Sequence, residues 1–139
     1  MSTQTKNKQL LTTIFDALAT GDTRPFSNAM ADDLRWLFAG EWSWARDWGA
    51  TKQEVRDNLL RPLMAQYPDY RSTAEEILAD GDRVVVRARA DATTLDGDPY
   101  PQAYCYVFRV IDGRITEVIE YCDTALVERV LELPAPPPS

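Results

Sequence analysis

The spacing of hydrophobic positions changes once along the chain, dividing it into a helical front and a stranded back. From about Asn7 to Thr20, Leu10, Leu11, Ile14, Phe15 and Leu18 recur every three or four residues. That spacing puts them on one face of a helix, and Gly21 supplies its stop. Pro25 suits the first turn of a short second helix to about Ala31. After Asp32 and Asp33, the apolar segment Leu34 to Ala39 reads as a strand. Thr51-Lys52-Gln53-Glu54 then matches a capping box, in which Thr51 and Glu54 satisfy each other's free backbone N–H groups. A longer helix is expected from there to about Gln66, kinked at Pro62 and closed by Pro68.

Beyond Tyr70 the period falls to two. Asp80-Gly81, Asp96-Gly97 and Asp112-Gly113 are hairpin signals of one type, so four consecutive strands are expected to form a meander. Thr124 to Glu132 makes a last short helix, and residues 134–139 read as a frayed, disordered proline-rich tail. Helices first and a meander last predict a single α+β domain over residues 1–133, with helices covering one face of an antiparallel sheet.

Turn length sets which side chains meet. A two-residue turn at Asp112-Gly113 puts Asp123 opposite Gln102, Tyr121 opposite Tyr104, Ile119 opposite Tyr106, and Glu117 opposite Phe108. The same rule at Asp96-Gly97 sets Asp91 beside Gln102, Arg89 beside Tyr104 and Arg87 beside Tyr106. One face is then polar and aromatic. The other carries Val84, Val86, Ala88 and Ala90 with Ala103, Cys105, Val107, Val118 and Cys122. Pro99 and Pro101 interrupt the second hairpin, and a slip of one residue would exchange the two faces. The polar-aromatic face either walls a pocket, or it is solvated or meets a second copy while the small-residue face lies under the helices.

Composition narrows the chemistry. At 139 residues with 45% hydrophobic positions, four Trp, six Tyr and four Phe, the chain can bury a core without staples. A formal net charge of -7 argues against a nucleic-acid partner, whose phosphates call for clustered Lys and Arg. No apolar run approaches the ~18 residues that span a bilayer. The polar start Met1 to Lys8 lacks the apolar core of a signal peptide, so the chain reads as cytoplasmic with no membrane partner. The sequence contains no histidine. That removes the usual neutral-pH acid/base, the Ser–His and Cys–His nucleophile pairs, and most zinc sites. Catalysis would fall to carboxylates, tyrosines, arginines or water. Cys105 and Cys122 have no metal-ligand spacing and read as small buried residues, so neither a metal nor a cofactor is expected. Trp36 is core or pocket wall. Trp42, Trp44 and Trp48 fall within seven residues and should cover a pocket mouth or a subunit contact.

Several segments together carry a family resemblance. They are Ala31-Asp32-Asp33 before a strand, Asp80-Gly81-Asp82 followed by Val84-Val85-Val86, Asp112-Gly113-Arg114-Ile115, and Glu120-Tyr121-Cys122-Asp123-Thr124. In this order and spacing, over about residues 8 to 131, the chain resembles the nuclear transport factor 2-like (cystatin-like) superfamily. Within it, the chain is most similar to SnoaL-like polyketide cyclases and ketosteroid isomerase-like proteins. The resemblance implies a cone-shaped, curved antiparallel sheet packed against N-terminal helices, an open pocket for a hydrophobic small molecule, and a homodimer. It implies isomerase, cyclase, dehydratase or epoxide hydrolase chemistry, or pure binding, since one fold hosts all of these. Dehydratases of the superfamily that depend on histidine are excluded by composition.

Matched position by position, the ketosteroid isomerase tyrosine falls on Ile14, its base on about Phe38 and its oxyanion-hole aspartate on Tyr106, so that route is absent. The SnoaL-like base matches Asp123, which is equally placed to cap the helix that starts at Thr124. Limonene epoxide hydrolase is similar in its Arg-x-Asp, here Arg89-Ala90-Asp91, though these two can also form a structural ion pair. Its second acid matches Glu120, which the hairpin register turns to the opposite face. The expected site is therefore Asp123, Asp91 and Arg89 as catalytic groups. Trp36, Phe38, Arg87, Gln102, Tyr104, Tyr106 and Tyr121 would hold the substrate.

Overall fold

The computed structural model describes residues 1–136. Helix α1 (Thr3–Leu18) begins ahead of the apolar repeat because Ser2 caps it, accepting the Thr5 N–H at 3.2 Å. Its stripe of Leu11, Ile14, Phe15 and Leu18 is buried. Helix α2 (Arg24–Ala29), with Pro25 in its first turn, is shorter than its spacing predicts. The reason is that strand β1 (Met30–Phe38) takes in Ala31-Asp32-Asp33. From Leu34 onward β1 alternates, burying Leu34, Trp36 and Phe38. The tryptophan loop follows and contains a two-residue strand, β2 (Arg46–Asp47), antiparallel to the end of β1.

Thr51 caps helix α3 (Lys52–Val55) by accepting the Glu54 N–H at 3.1 Å. Where a kink at Pro62 is expected, the helix instead widens into a π turn over Arg56–Leu60, and the Arg61 N–H reaches back five residues to the Arg56 carbonyl. Helix α4 (Arg61–Gln66) resumes with Pro62 in its first turn. Proline has no N–H to offer and crowds the carbonyl four residues back, and the wider turn relieves both.

Strands β3 (Arg71–Asp80), β4 (Arg83–Asp91), β5 (Ala103–Ile111) and β6 (Arg114–Cys122) form the expected meander. With β1 and β2 they make one curved six-stranded sheet in the order β2-β1-β6-β5-β4-β3. β1 runs parallel to β6, and every other pairing is antiparallel. α1 packs across β3 and β4, while helix α5 (Thr124–Val130) follows β6.

The register departs from expectation at two places, by one residue each. Asp112 (φ 50°) and Gly113 (φ 75°) do form a two-residue turn, and Ile111 opposes Arg114. A bulge at Thr116 then shifts the ladder, so Tyr104 opposes Cys122 and Tyr106 opposes Glu120. Asp96-Gly97 is not a two-residue turn. The Thr94 N–H donates to the Asp98 carbonyl at 2.9 Å around a three-residue loop, Leu95-Asp96-Gly97, with Gly97 at φ 88°. Ala88, not Arg89, therefore opposes Tyr104.

Both slips exchange faces. Arg87, Arg89, Asp91 and Tyr121 stand on the outer face of the sheet and are exposed. Tyr104, Tyr106 and Phe108 turn inward and share the buried face with Val84, Val86, Ala88, Val118 and Glu120. The expected single face carrying all the polar and aromatic candidates does not exist.

At the C-terminus Arg46 Nη1 donates to the Ala135 carbonyl at 3.2 Å, which ties the start of the proline-rich segment to the tryptophan loop. Residues 137–139 of the expected tail lie outside the described residues.

Candidate active site

The inner face of β1, β6 and β5 forms one wall of a cavity of about 330 Å³. Phe26 and Ser27 of α2, Arg56 and Leu60 of the π turn, and Leu63 and Met64 of α4 form the opposite wall. Trp42, Trp44, Val127 and Leu131 close the side. Aromatic rings dominate the lining, stacking on one another as Phe38 on Trp42 (5.5 Å), Tyr104 on Tyr106 (4.9 Å) and Tyr67 on Tyr100 (5.2 Å).

Glu120 stands within this aromatic wall. The ladder places it between Phe38 of β1 and Tyr106 of β5, all three on the inner face. Its side chain lines the cavity at only 6% exposure, and no hydrogen bond or ion pair reaches its carboxyl among the described residues. The Trp36 indole N–H acts to pull its pKa down, but it falls short of hydrogen-bond geometry and stays unpaired. Desolvation dominates and pushes the carboxyl up to about 8.

Phenols surround it. Desolvation raises Tyr70 to about 12, even though the hydroxyls of Tyr104 and Tyr106 act on it to lower that value. Tyr67, Tyr100, Tyr104 and Tyr106 are likewise raised, desolvation being the largest cause for each. These phenols keep their protons and remain hydrogen-bond donors across the physiological range. The Cys122 thiol, also on the wall, is raised by desolvation and then by Glu120, so it is not a ready nucleophile.

The residues singled out from sequence divide by position. Trp36, Phe38, Tyr104 and Tyr106 line the cavity. Gln102 lies fully buried beside it and spends its whole amide on structure. Its Nε2 donates to the Tyr100 hydroxyl and the Asp123 carbonyl, both at 3.0 Å, and its Oε1 accepts the N–H groups of Ala103 (2.9 Å) and Asp123 (2.8 Å). Asp123 is exposed and outside the cavity, and its carboxylate caps α5 by accepting the Leu126 N–H at 3.2 Å. Arg89 and Asp91 stand on the outer face and form no ion pair with each other among the described residues, while Arg87 pairs with Glu76 at 3.2 Å. Tyr121 is 52% exposed on that same side.

Sequence reasoning missed Tyr67, Tyr70, Tyr100 and Arg56, and it turned Glu120, the match to the epoxide hydrolase's second acid, to the wrong face. A signal for Glu120 was present: it alternates with Val118 and Cys122, so it belongs to whichever face those residues share, and an acid on a helix-covered face is unusual. For Tyr67 and Tyr70, on the bend between α4 and β3, no periodic pattern marks a direction.

A SnoaL-like domain model matches residues 11–118. No curated protein matches the chain. Among solved structures, a candidate SnoaL-like polyketide cyclase from Jannaschia sp. CCS1 superposes with a TM-score of 0.77 at 19% identity, covering 99% of this chain and 98% of its own. A nuclear transport factor 2-like protein of unknown function from Burkholderia pseudomallei gives 0.76 at 22% identity over 94% and 98%. An LEH-like epoxide hydrolase from M. tuberculosis gives 0.69 at 22% identity over 94% and 92%. At these identities the neighbours speak for the fold, and their chemistries differ. With a family model matched over most of its length and the curved sheet in place, the chain belongs to the SnoaL-like family of the nuclear transport factor 2-like superfamily.

Proposed function

We propose that the protein is an enzyme of the cyclase or isomerase type, moving a proton on a small hydrophobic carbonyl compound held in the aromatic cavity. Glu120 is the acid/base. The observation that carries this reading is a buried, unpartnered carboxyl on the cavity wall. With a pKa of about 8, roughly one molecule in ten carries the carboxylate at pH 7, and the neutral majority can return a proton. The base removes a proton from carbon next to the carbonyl, and the electron pair moves onto the oxygen. Tyr70, Tyr104 and Tyr106 donate hydrogen bonds to the developing oxyanion, and Glu120 redelivers the proton at another carbon.

Epoxide opening of the Arg-x-Asp kind fits less well, because Arg89 and Asp91 face away from the cavity and Glu120 is the one carboxyl on its described lining. The test is exchange of the α-hydrogens of 2-tetralone in deuterated water, followed by NMR. Wild type should accelerate exchange, with a rate that rises with pH and levels off above about 8. Glu120→Gln should lose at least 100-fold, and Asp123→Asn should keep the rate. Exchange surviving in Glu120→Gln would remove the assignment. Binding without exchange in wild type would make the protein a receptor.

The proposal includes a homodimer across the outer sheet face. Leu37 and Tyr121 are exposed there, and Arg89 and Asp91 stand without partners among the described residues. A two-fold copy would set each charge against its opposite.

A further inference from the structure

We infer that the cavity selects a hydrophobic molecule carrying an anionic group, a carboxylate or its equivalent, and that Arg56 is the residue that reads it. This rests on the reading of the cavity as a small-molecule site and adds the class of molecule it takes.

Two guanidinium groups line the cavity, Arg56 and Arg61. Arg61 is largely exposed and engaged, its Nη1 lying 3.1 Å from Asp57 Oδ1. Arg56 is half-buried and makes no hydrogen bond or ion pair among the described residues. A guanidinium brings five N–H donors in a planar fork, and withdrawing them partly from water without an acceptor is costly. The remaining lining is chiefly aromatic and aliphatic, and its hydroxyls, those of Thr23, Ser27 and five tyrosines, are neutral acceptors of which none bonds Arg56 among the described residues. Nor does Glu120 serve, being mostly neutral at physiological pH and forming no pair with Arg56. The cavity thus holds an unanswered positive charge within a protein whose net charge is -7.

Exposure orders these groups by depth. Glu120 is almost fully enclosed, Arg56 is intermediate, and Arg61 is open to solvent. A ligand would bury its ring system against Tyr104 and Tyr106 and leave its anionic end at the outer part, where the fork of Arg56 grips two oxygens at once. The π turn contributes to this placement. Arg56 is its first residue, and the widened turn carries the accommodation to Pro62 without breaking the helix that presents the arginine. At about 330 Å³ the space suits a body of one to three rings, at the small end of ligand pockets.

A matched pair of probes isolates the charge: 2-naphthoate and methyl 2-naphthoate, titrated at pH 7 with the intrinsic tryptophan emission as reporter, since Trp36, Trp42 and Trp44 all line the cavity. Wild type should bind the acid at least tenfold more tightly than the ester. Arg56→Met keeps the aliphatic stem and should abolish that preference by weakening the acid alone, whereas Arg56→Lys should retain part of it. Glu120→Gln should keep the preference while losing proton exchange on 2-tetralone. Ester bound as tightly as acid in wild type, or a preference that survives Arg56→Met, would overturn the role of Arg56 and leave the cavity reading standing. Failure of both probes and of 2-tetralone to bind would overturn the cavity reading itself. Circular dichroism and melting of each variant guard against loss of fold.

Discussion

Glu120 shows what one side chain can do to the energetics of the whole fold. Its folded pKa of about 8 stands above the ordinary 4.5, so the native state holds this proton more tightly than the unfolded chain does. Below about pH 4.5 the group costs nothing. Between about 4.5 and 8 the unfolded chain ionises first and stability falls, and above 8 the loss stays constant at roughly 3–5 kcal/mol. Glu120→Gln removes the titration. The variant should therefore melt close to wild type at pH 5 and well above it at pH 8.5, as read by calorimetry. A gap that is the same at both values would mean the carboxyl is not desolvated. A residue kept at such a cost in stability is what a functional group in a cavity looks like.

At the level of elements, the helices and strands were legible from periodicity and the site was not. The apolar stripe of α1, the capping residue Thr51 and the alternation of β3 to β6 each act locally, and each appears where the pattern put it. Which face of β5 meets which face of β6 depends instead on a count of residues through a turn. Thr116 adds one residue to β6, and the loop Leu95-Asp96-Gly97 has three residues where Asp-Gly suggested two. Neither irregularity alters composition or period. Each reverses a strand, and together they put Tyr104 and Tyr106 beside Glu120 rather than beside Arg87, Arg89 and Tyr121. The cavity-lining Trp36 and Phe38 escaped this error because alternation within β1 fixes their side without reference to a turn. Gln102 was legible as central and misread in kind: its amide clamps the entry to β5 against the exit from β6.

Considered whole, the molecule presents two very different surfaces of one sheet. The outer surface keeps Leu37 at 38% and Tyr121 at 52% exposure amid charges of both signs. If a second copy covers it, wild type should sediment near twice 15.7 kDa, and a Leu37→Lys, Tyr121→Lys double variant should sediment as a monomer with its ellipticity unchanged. A wild-type monomer at high micromolar concentration would end that proposal. The inner surface is closed by parts that are far apart in the chain. Trp44 Nε1 donates to the Glu132 carbonyl at 3.1 Å, Glu128 accepts the Ser43 N–H at 2.7 Å, and Gln66 accepts the Glu132 N–H at 2.9 Å. These few bonds, unlike the ladders of the sheet wall, are single contacts between segments distant in sequence. Glu128→Ala should raise the association and dissociation rates of 2-naphthoate together in stopped flow while leaving their ratio almost unchanged. Unaltered rates would show that the contact between Ser43 and Glu128 does not control ligand exchange. If the contact between Ser43 and Glu128 sets exchange in this way, a change there alters how fast the cavity exchanges its contents without altering what its sheet wall recognises.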